Sequence, residues 1–186
     1  MKEEALDKRV QRTRKALLGA FFGLVLERRY EEIKVADIFE RAGVGKSTFY
    51  EHFSGKDGIL GSSLKGPFDV LADAAQRTDN TAQLIMLLEH FWANRAMARG
   101  ILHGTVRRKT TAVLVDLIER RLVMDGVDKS ASLIIPSRLA AIQLAESLLA
   151  LITAWLTGEA QCSADALALA LRRTATATLL GLSRPR

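Results

Sequence analysis

The chain has 186 residues, 48% of them hydrophobic, and its 27 basic residues against 21 acidic ones give a net charge of +6. This is enough apolar material for one compact core or two small ones, which excludes a disordered chain, and the positive charge favours polyanionic partners. The single cysteine, Cys162, excludes an internal disulfide framework and a zinc site built from cysteines, so a reducing cytoplasm is expected.

Helical spacing of apolar residues dominates the chain, and no alternating run suits a strand, so the fold is predicted to be all-α. The first predicted helix runs from about Asp7 to Arg29, and cations crowd its start between Lys8 and Lys15. Taken alone, such a charge run is typical of a solvated helix face. The apolar stretch begins only at Ala16, which argues against a secretory signal.

Two short helices are predicted next, Val35 to Ala42 and Lys46 to Phe53. Gly43-Val44-Gly45 joins them, and glycine can take the positive φ that a sharp turn between helices needs. This three-helix block predicts a first domain over residues 1–55 and a second over residues 56–186.

A fourth helix is predicted to begin at about Lys56. Ser54 and Asp57 have the spacing of a capping box, in which each side chain accepts from a backbone N–H of the other end of the turn. Gly66-Pro67 is predicted to kink or break this helix.

Four further helices complete the prediction, and the last has Ser163 as its N-cap: Thr81 to Arg99, Thr105 to Met124, Pro136 to Leu156, and Ala164 to Leu182. Pro136 is placed as a first-turn proline. The most apolar stretch, Leu139 to Leu156, contains Gln143 and Glu146, so it is predicted to be a buried helix and not a membrane span.

The segment from Val35 to Phe53 carries the functional signal. Five apolar residues in it fall where they would close a small core between two crossing helices: Ile38, Ala42, Val44, Phe49 and Phe53. The polar residues between them would then point outward: Lys46, Ser47, Thr48, Tyr50 and His52. Hydroxyl, ammonium and phenol groups are the types that reach base edges and phosphates when a helix enters a major groove.

The run from Thr13-Arg14 through Ile38 and STFYEHFSGKDGIL to Leu60 resembles the DNA-binding domain of the TetR family of regulators. A Phe-Tyr pair, a His-Phe pair and a downstream lysine hold fixed offsets in it. The resemblance covers about the first third of the chain. It implies an N-terminal three-helix helix-turn-helix domain followed by a helical ligand-binding and dimerisation domain, with no cofactor and no enzyme activity. Lys34 and Phe39 depart from the family's usual residues.

The resemblance also implies which residues contact DNA. Lys46, Ser47 and Thr48 would face the groove, Tyr50, His52 and Lys56 would mainly contact phosphates, and Thr13 and Arg14 would brace the first helix on the DNA backbone. The full predicted set is Thr13, Arg14, Lys34, Lys46, Ser47, Thr48, Tyr50, His52 and Lys56.

Two further sites are predicted in the second domain. Its aromatic and methionine residues are first of all core, but a regulator needs a cavity, and the pocket candidates are Phe68, Phe91, Arg95 and His103. The last two helices are apolar nearly all round, which fits a four-helix interface between two copies. The predicted interface residues are Leu139, Ile142, Leu149, Ile152, Leu156, Leu167 and Leu171.

The resulting hypothesis is a cytoplasmic homodimeric repressor that a small-molecule effector releases from a palindromic operator, with Gly66-Pro67 as the lever. One alternative is an adaptor of the same fold that acts through another regulator. The other is a phosphotransferase using Gly45-Lys46-Ser47. A phosphate-binding loop, however, needs a glycine where Glu40 stands and a preceding strand, and His90 and His103 are too isolated to suggest a metal site.

Overall fold

The structure is a computed structural model that describes residues 2–76, 79–102, 106–124 and 133–184, with side chains from residue 8 onward. In these ranges the chain is helical, and its only β-type pairing is one bridge between Leu133 and Ser183. The predicted all-α class is confirmed. The helices are α1 (Lys2–Glu27), α2 (Val35–Arg41), α3 (Lys46–His52), α4 (Lys56–Asp73), α5 (Thr81–Ala93), α6 (Arg95–Leu102), α7 (Arg107–Met124), α8 (Ser137–Thr157) and α9 (Ala164–Leu182), with a 3-10 turn at Tyr30–Glu32.

Most helix ends lie close to their predicted positions. The Ser163 hydroxyl accepts from the Ala166 N–H at 3.2 Å and so caps α9 as predicted. Pro136 is the N-cap of α8, one residue before the predicted first-turn position. The predicted start of α7 at Thr105 lies outside the described residues.

Helix α4 continues through Pro67, so the predicted break at Gly66-Pro67 is wrong. Proline has no N–H and removes one helical hydrogen bond, which weakens this turn. Leu64, Phe68 and Leu71 on the inner face are all buried in the core, and their packing compensates for that loss.

The helix predicted from Thr81 to Arg99 is two helices, which meet at Asn94. The Asn94 side-chain amide donates to the His90 carbonyl at 3.0 Å, and the Asn94 backbone N–H donates to the same oxygen at 3.1 Å. The Asn94 carbonyl then accepts from the Ala98 N–H at 3.0 Å and begins α6. Asparagine ends one helix and starts the next because its side chain competes for backbone groups.

The predicted capping box at the start of α4 is also wrong. The N-cap is Gly55, with φ of +147° and no side-chain cap. The Asp57 carboxylate accepts instead from the Lys109 ammonium, at 2.7 and 2.6 Å, and from the Tyr30 hydroxyl. A distant ammonium competes successfully with a local N–H because a charged donor makes the stronger hydrogen bond.

The helices pack as a chain of neighbours around one buried apolar cluster that runs from Leu17 to Ala175. Helix α4 packs on α7, α7 on α8, α8 on α9, and α9 on α5, while α6 lies against both α1 and α8. The N-terminal helices α1 to α3 are thereby held on the larger group through α4 and α6.

Helix α8 is long and apolar enough to cross a membrane by length and composition alone. Half of that stretch is buried inside the fold, against α7 and α9. This burial agrees with the prediction of a core helix.

Candidate nucleic-acid interface

The turn between α2 and α3 sets the direction of α3. Gly43 has φ of +67°, as predicted for this turn, whereas Gly45 has an ordinary φ of −72°. The Val44 N–H donates to the Phe39 carbonyl at 3.0 Å and closes the turn. Only Gly43 therefore needs the conformational freedom of glycine.

Helix α3 has one buried side and one exposed side. Phe49 and Phe53 are 0% and 4% exposed and pack into the core with Ile38, as the sequence predicts. The exposed or half-buried side carries the residues predicted to point outward: Lys46, Ser47, Thr48, Tyr50 and His52. These groups offer hydroxyl, ammonium, phenol and imidazole to a partner from one short surface.

Two ion pairs fix α2 against α1. Arg41 donates to both Glu27 carboxylate oxygens at 2.6 and 2.7 Å, and Arg28 donates to Asp37 at 3.1 Å. Gly23 leaves room for the Arg41 guanidinium, since a Cβ there would stand 2.9 Å from Nη2. The hydrogen bond from Arg41 lowers the pKa of Glu27. Lys34 is exposed, and its backbone N–H donates to Asp37 at 2.9 Å.

Arg14 is engaged inside the chain. Its guanidinium donates to the Ser62 hydroxyl on α4 and lies over the Phe53 ring, 5.1 Å from the centroid. Thr13, its neighbour, is half-buried. The placement of Arg14 indicates a contact between α1 and α4 more directly than one with a DNA backbone.

Lys56 is likewise satisfied within the chain. Its ammonium donates to the carbonyls of Tyr30 at 2.6 Å and Ile33 at 2.8 Å, and it lies 4.4 Å from the Tyr30 ring centroid. Burial lowers the pKa of Lys56, and the nearby Lys109 lowers it further. The structure therefore gives Lys56 a structural role, and its placement does not support the predicted phosphate contact.

Lys56 belongs to a polar cluster, called the Tyr30 cluster, which consists of Tyr30, Lys56, Asp57 and Lys109. It joins the 3-10 turn, the start of α4 and the start of α7. The hydrogen bond from Lys109, followed by that from Tyr30, lowers the pKa of Asp57, while burial and Asp57 raise the pKa of Tyr30. Sequence reasoning missed this cluster, because its members lie up to 79 positions apart in a chain read for local periodicity.

The predicted pocket residues separate in the structure. Phe68 and Phe91 line a cavity between α1, α4, α5 and α6. Arg95 is not among its lining residues; it is exposed, and its guanidinium lies over the Trp92 ring at 5.7 Å. His103 lies outside the described residues.

The predicted dimer residues need a correction. Leu139 and Ile142 are exposed, at 51% and 39%, and remain available to a partner. The other five are buried in the chain's own core, because the side of α8 or α9 that carries them faces neighbouring helices: Leu149, Ile152, Leu156, Leu167 and Leu171.

A different set of apolar residues is exposed on the last two helices. Leu169 and Leu180 are 44% and 71% exposed on α9, and Leu151 is 40% exposed on α8. Leu169 and Leu180 share one outward side with three alanines and with two polar residues: Ala166, Ala170, Ala177, Arg173 and Thr176. The spacing of these residues is visible in the sequence. Because both helices carry apolar residues on more than one side, that spacing alone did not show which side faces outward.

Comparison with known proteins supports the N-terminal assignment. Residues 22–62 match the family model described as bacterial regulatory proteins, tetR family. The chain is also similar to the uncharacterised HTH-type transcriptional regulator YxbF of Bacillus subtilis, with 35% identity over 65 residues, 34% of this chain and 17% of YxbF. The matched part thus spans less than a fifth of that relative's length.

The whole fold is similar to solved TetR-type regulators. A TetR regulator from Streptococcus agalactiae matches with a TM-score of 0.57 at 22% identity over 93% of this chain and 98% of that one. A regulator from Streptomyces coelicolor matches with a TM-score of 0.62 at 19% identity over 91% and 96%. FadR from Bacillus subtilis, solved in complex with stearoyl-CoA, matches with a TM-score of 0.53 at 17% identity, over 88% of this chain and 98% of that one. Residues 22–62 thus match the tetR family model, and the described chain as a whole shares the fold of these TetR-type regulators.

Proposed function

We propose that the chain is a cytoplasmic homodimeric repressor that binds a palindromic operator through α3 and is released from it by a small molecule. The observation that carries the proposal is the exposed side of α3, where Lys46, Ser47 and Tyr50 stand over the buried Phe49. This surface lies within the part of the chain that matches the family model.

Two copies are needed because a single α3 reads only a few base pairs. In a dimer, two such helices about 34–36 Å apart would enter successive major grooves on one face of the duplex. The exposed side of α9 with Leu169 and Leu180, and Leu139 and Ile142 on α8, supply the apolar surface for that contact.

An effector would act by preferring one arrangement of the two α3 helices. A ligand that binds both arrangements equally shifts nothing, so its differential affinity sets the extent of release. Because α4 is continuous through Pro67, a shift at one end of α4 would reach the Tyr30 cluster at its other end.

The test is selection of bound duplexes from fragmented genomic DNA at stated salt. Lys46→Ala and Tyr50→Phe remove an ammonium and a phenol oxygen from α3, and each is expected to weaken specific binding by roughly 1–3 kcal/mol. Arg120→Ala is the control. Like Lys46→Ala it removes one positive charge, but from the exposed side of α7, and it should leave the selected DNA sequence unchanged.

An enriched palindrome that the α3 variants lose would support the repressor. Binding without enrichment, equally weakened by salt in all variants, would reject it. The adaptor would then be the better explanation. One observation favours it: Arg14 and Lys56, two cations of the N-terminal region, make their hydrogen bonds within the chain.

A further inference from the structure

A cavity of about 160 Å³ lies where four helices meet. Pro67 and Phe68 of α4, Phe91 of α5 and Ile101 of α6 form much of its wall, and Phe22 reaches it from α1. Helix α1 also packs on α2, and α2 packs on α3. One wall of the cavity therefore belongs to the N-terminal helices that include α3.

The walls of this cavity are mostly apolar, and the His90 imidazole is the one group among the described lining residues that can carry a charge. Among the described residues that line it there is no carboxylate, ammonium or guanidinium group. Its polar groups are Ser63, His90 and Asn94; the Ser63 hydroxyl donates to the Leu60 carbonyl at 2.7 Å, which leaves its oxygen free to accept. A cation would lose its hydration without gaining a counter-ion here, and an anion would do so as well wherever the imidazole is neutral.

The volume limits the ligand to a small molecule. A cavity of ~150 Å³ lined by leucine, isoleucine and phenylalanine accepts benzene, whereas pockets for drug-sized ligands measure about 300–1,000 Å³. A single ring with one small substituent fits 160 Å³. A long acyl chain does not.

The cavity is placed to act on α1. Helix α6, which forms one wall, packs directly on α1 at Gly100, where a Cβ would stand 3.6 Å from Val25 Cγ1. A ligand in the cavity would contact Phe22 of α1 and Ile101 of α6 at the same time. Its contacts therefore depend on how α1 sits against α6.

We infer that this cavity binds a small, uncharged, largely apolar molecule with one hydrogen-bonding group, and that contact with Phe22 couples its binding to the position of α1. The ligand class rests on the cavity alone, and its effect on DNA rests on the function proposed above.

The experiment compares three probes of similar shape at about pH 8, where a free imidazole is neutral: benzyl alcohol, benzoate and benzylammonium. Binding to the full chain is followed by calorimetry and by the methyl NMR signals of Ile101 and Met97. Benzyl alcohol is expected to bind saturably and to raise the melting temperature, and both charged probes should bind at least about 100-fold more weakly because their charge loses water.

Ala98→Leu places three added carbon atoms against the cavity and should weaken benzyl alcohol binding at least about tenfold. Ala96→Leu is the matched control, because Ala96 is exposed on the same helix and does not line the cavity. Crystals of the wild-type chain under xenon pressure give a second test that needs no variant, with density expected beside Phe22 and Phe91.

Equal binding of the charged probes, equal binding by Ala98→Leu, or xenon absent from the cavity would each overturn the inference. These readouts contain no DNA, so they fail or succeed separately from the repressor proposal. If benzyl alcohol binds in the cavity but leaves the affinity for the selected operator unchanged, the coupling through Phe22 is refuted.

Discussion

Lys56 and Asp57 are adjacent in the sequence but tie the start of α4 to different elements. The Lys56 ammonium donates to carbonyls of the 3-10 turn, and the Asp57 carboxylate receives Lys109 from α7 and Tyr30 from the turn. The Tyr30 cluster therefore holds the 3-10 turn and the start of α4 against α7 by charged hydrogen bonds at a few atoms.

Lys56→Met tests the structural role of Lys56. Removing the ammonium takes its hydrogen bond from the Ile33 carbonyl and leaves the Tyr30 carbonyl with only the Ile33 N–H, so the free energy of unfolding should fall by about 1–3 kcal/mol in urea denaturation. If stability is unchanged while the salt dependence of DNA binding loses about one phosphate contact, Lys56 binds DNA after all.

Asp57→Asn should show a pH-dependent loss of stability. Lys109 and Tyr30 hold the pKa of Asp57 below its value in the unfolded chain, so this stabilisation is present at neutral pH and is lost as the pH falls through the folded pKa. The wild type should be more stable than the variant by about 1 kcal/mol at pH 7, since the pair is partly exposed.

The difference in the free energy of unfolding between the wild type and Asp57→Asn should become smaller as the pH falls. Urea titrations between pH 7 and pH 3 measure it, and Asp165→Asn serves as a control on the exposed start of α9. A difference in the free energy of unfolding that stays constant over that pH range would mean that the charge of Asp57 does not stabilise the fold.

At the scale of elements, α1 and the turn before α3 use glycine differently. Gly19 lies within α1 with no atom within 4 Å of an added Cβ, whereas Gly43 has φ of +67°. The first glycine is a helix residue without a required conformation, and the second closes the helix-turn-helix.

Substituting alanine at each position should therefore have opposite effects. Gly19→Ala should raise the free energy of unfolding by about 0.5–1 kcal/mol through helix propensity, and Gly43→Ala should lower it by about 1–2 kcal/mol through left-handed strain. Thermal unfolding of the two variants beside the wild type checks this, and a loss in both would show that Gly19 has a contact the fold does not reveal.

For the whole molecule, the described part of the chain leaves large apolar side chains exposed on its last two helices, among them Leu139 and Ile142 of α8 and Leu169 and Leu180 of α9. Leu139→Asp with Leu180→Asp should yield a monomer in light scattering and lower the affinity for a palindromic duplex by about 100-fold or more, as two linked sites become one. Met86→Asp, at an equally exposed residue of α5, is the control. A double variant that remains dimeric would place the interface elsewhere.

Local sequence patterns were enough to predict the all-α class, the turn at Gly43, the buried Phe49 and Phe53, and the start of α9 after Ser163. These features depend on local chemistry: backbone freedom, apolar spacing within a helix, and a hydroxyl close to a free N–H.

Tertiary structure decided what local rules left open. Packing carried α4 through Pro67, Lys109 drew Asp57 from its expected cap, and Lys56 became a link within the chain. It also showed that Leu149 and Leu171 face the core while Leu169 and Leu180 face outward. An amphipathic pattern cannot orient a helix that is apolar on several sides, because only its neighbours determine which side is covered.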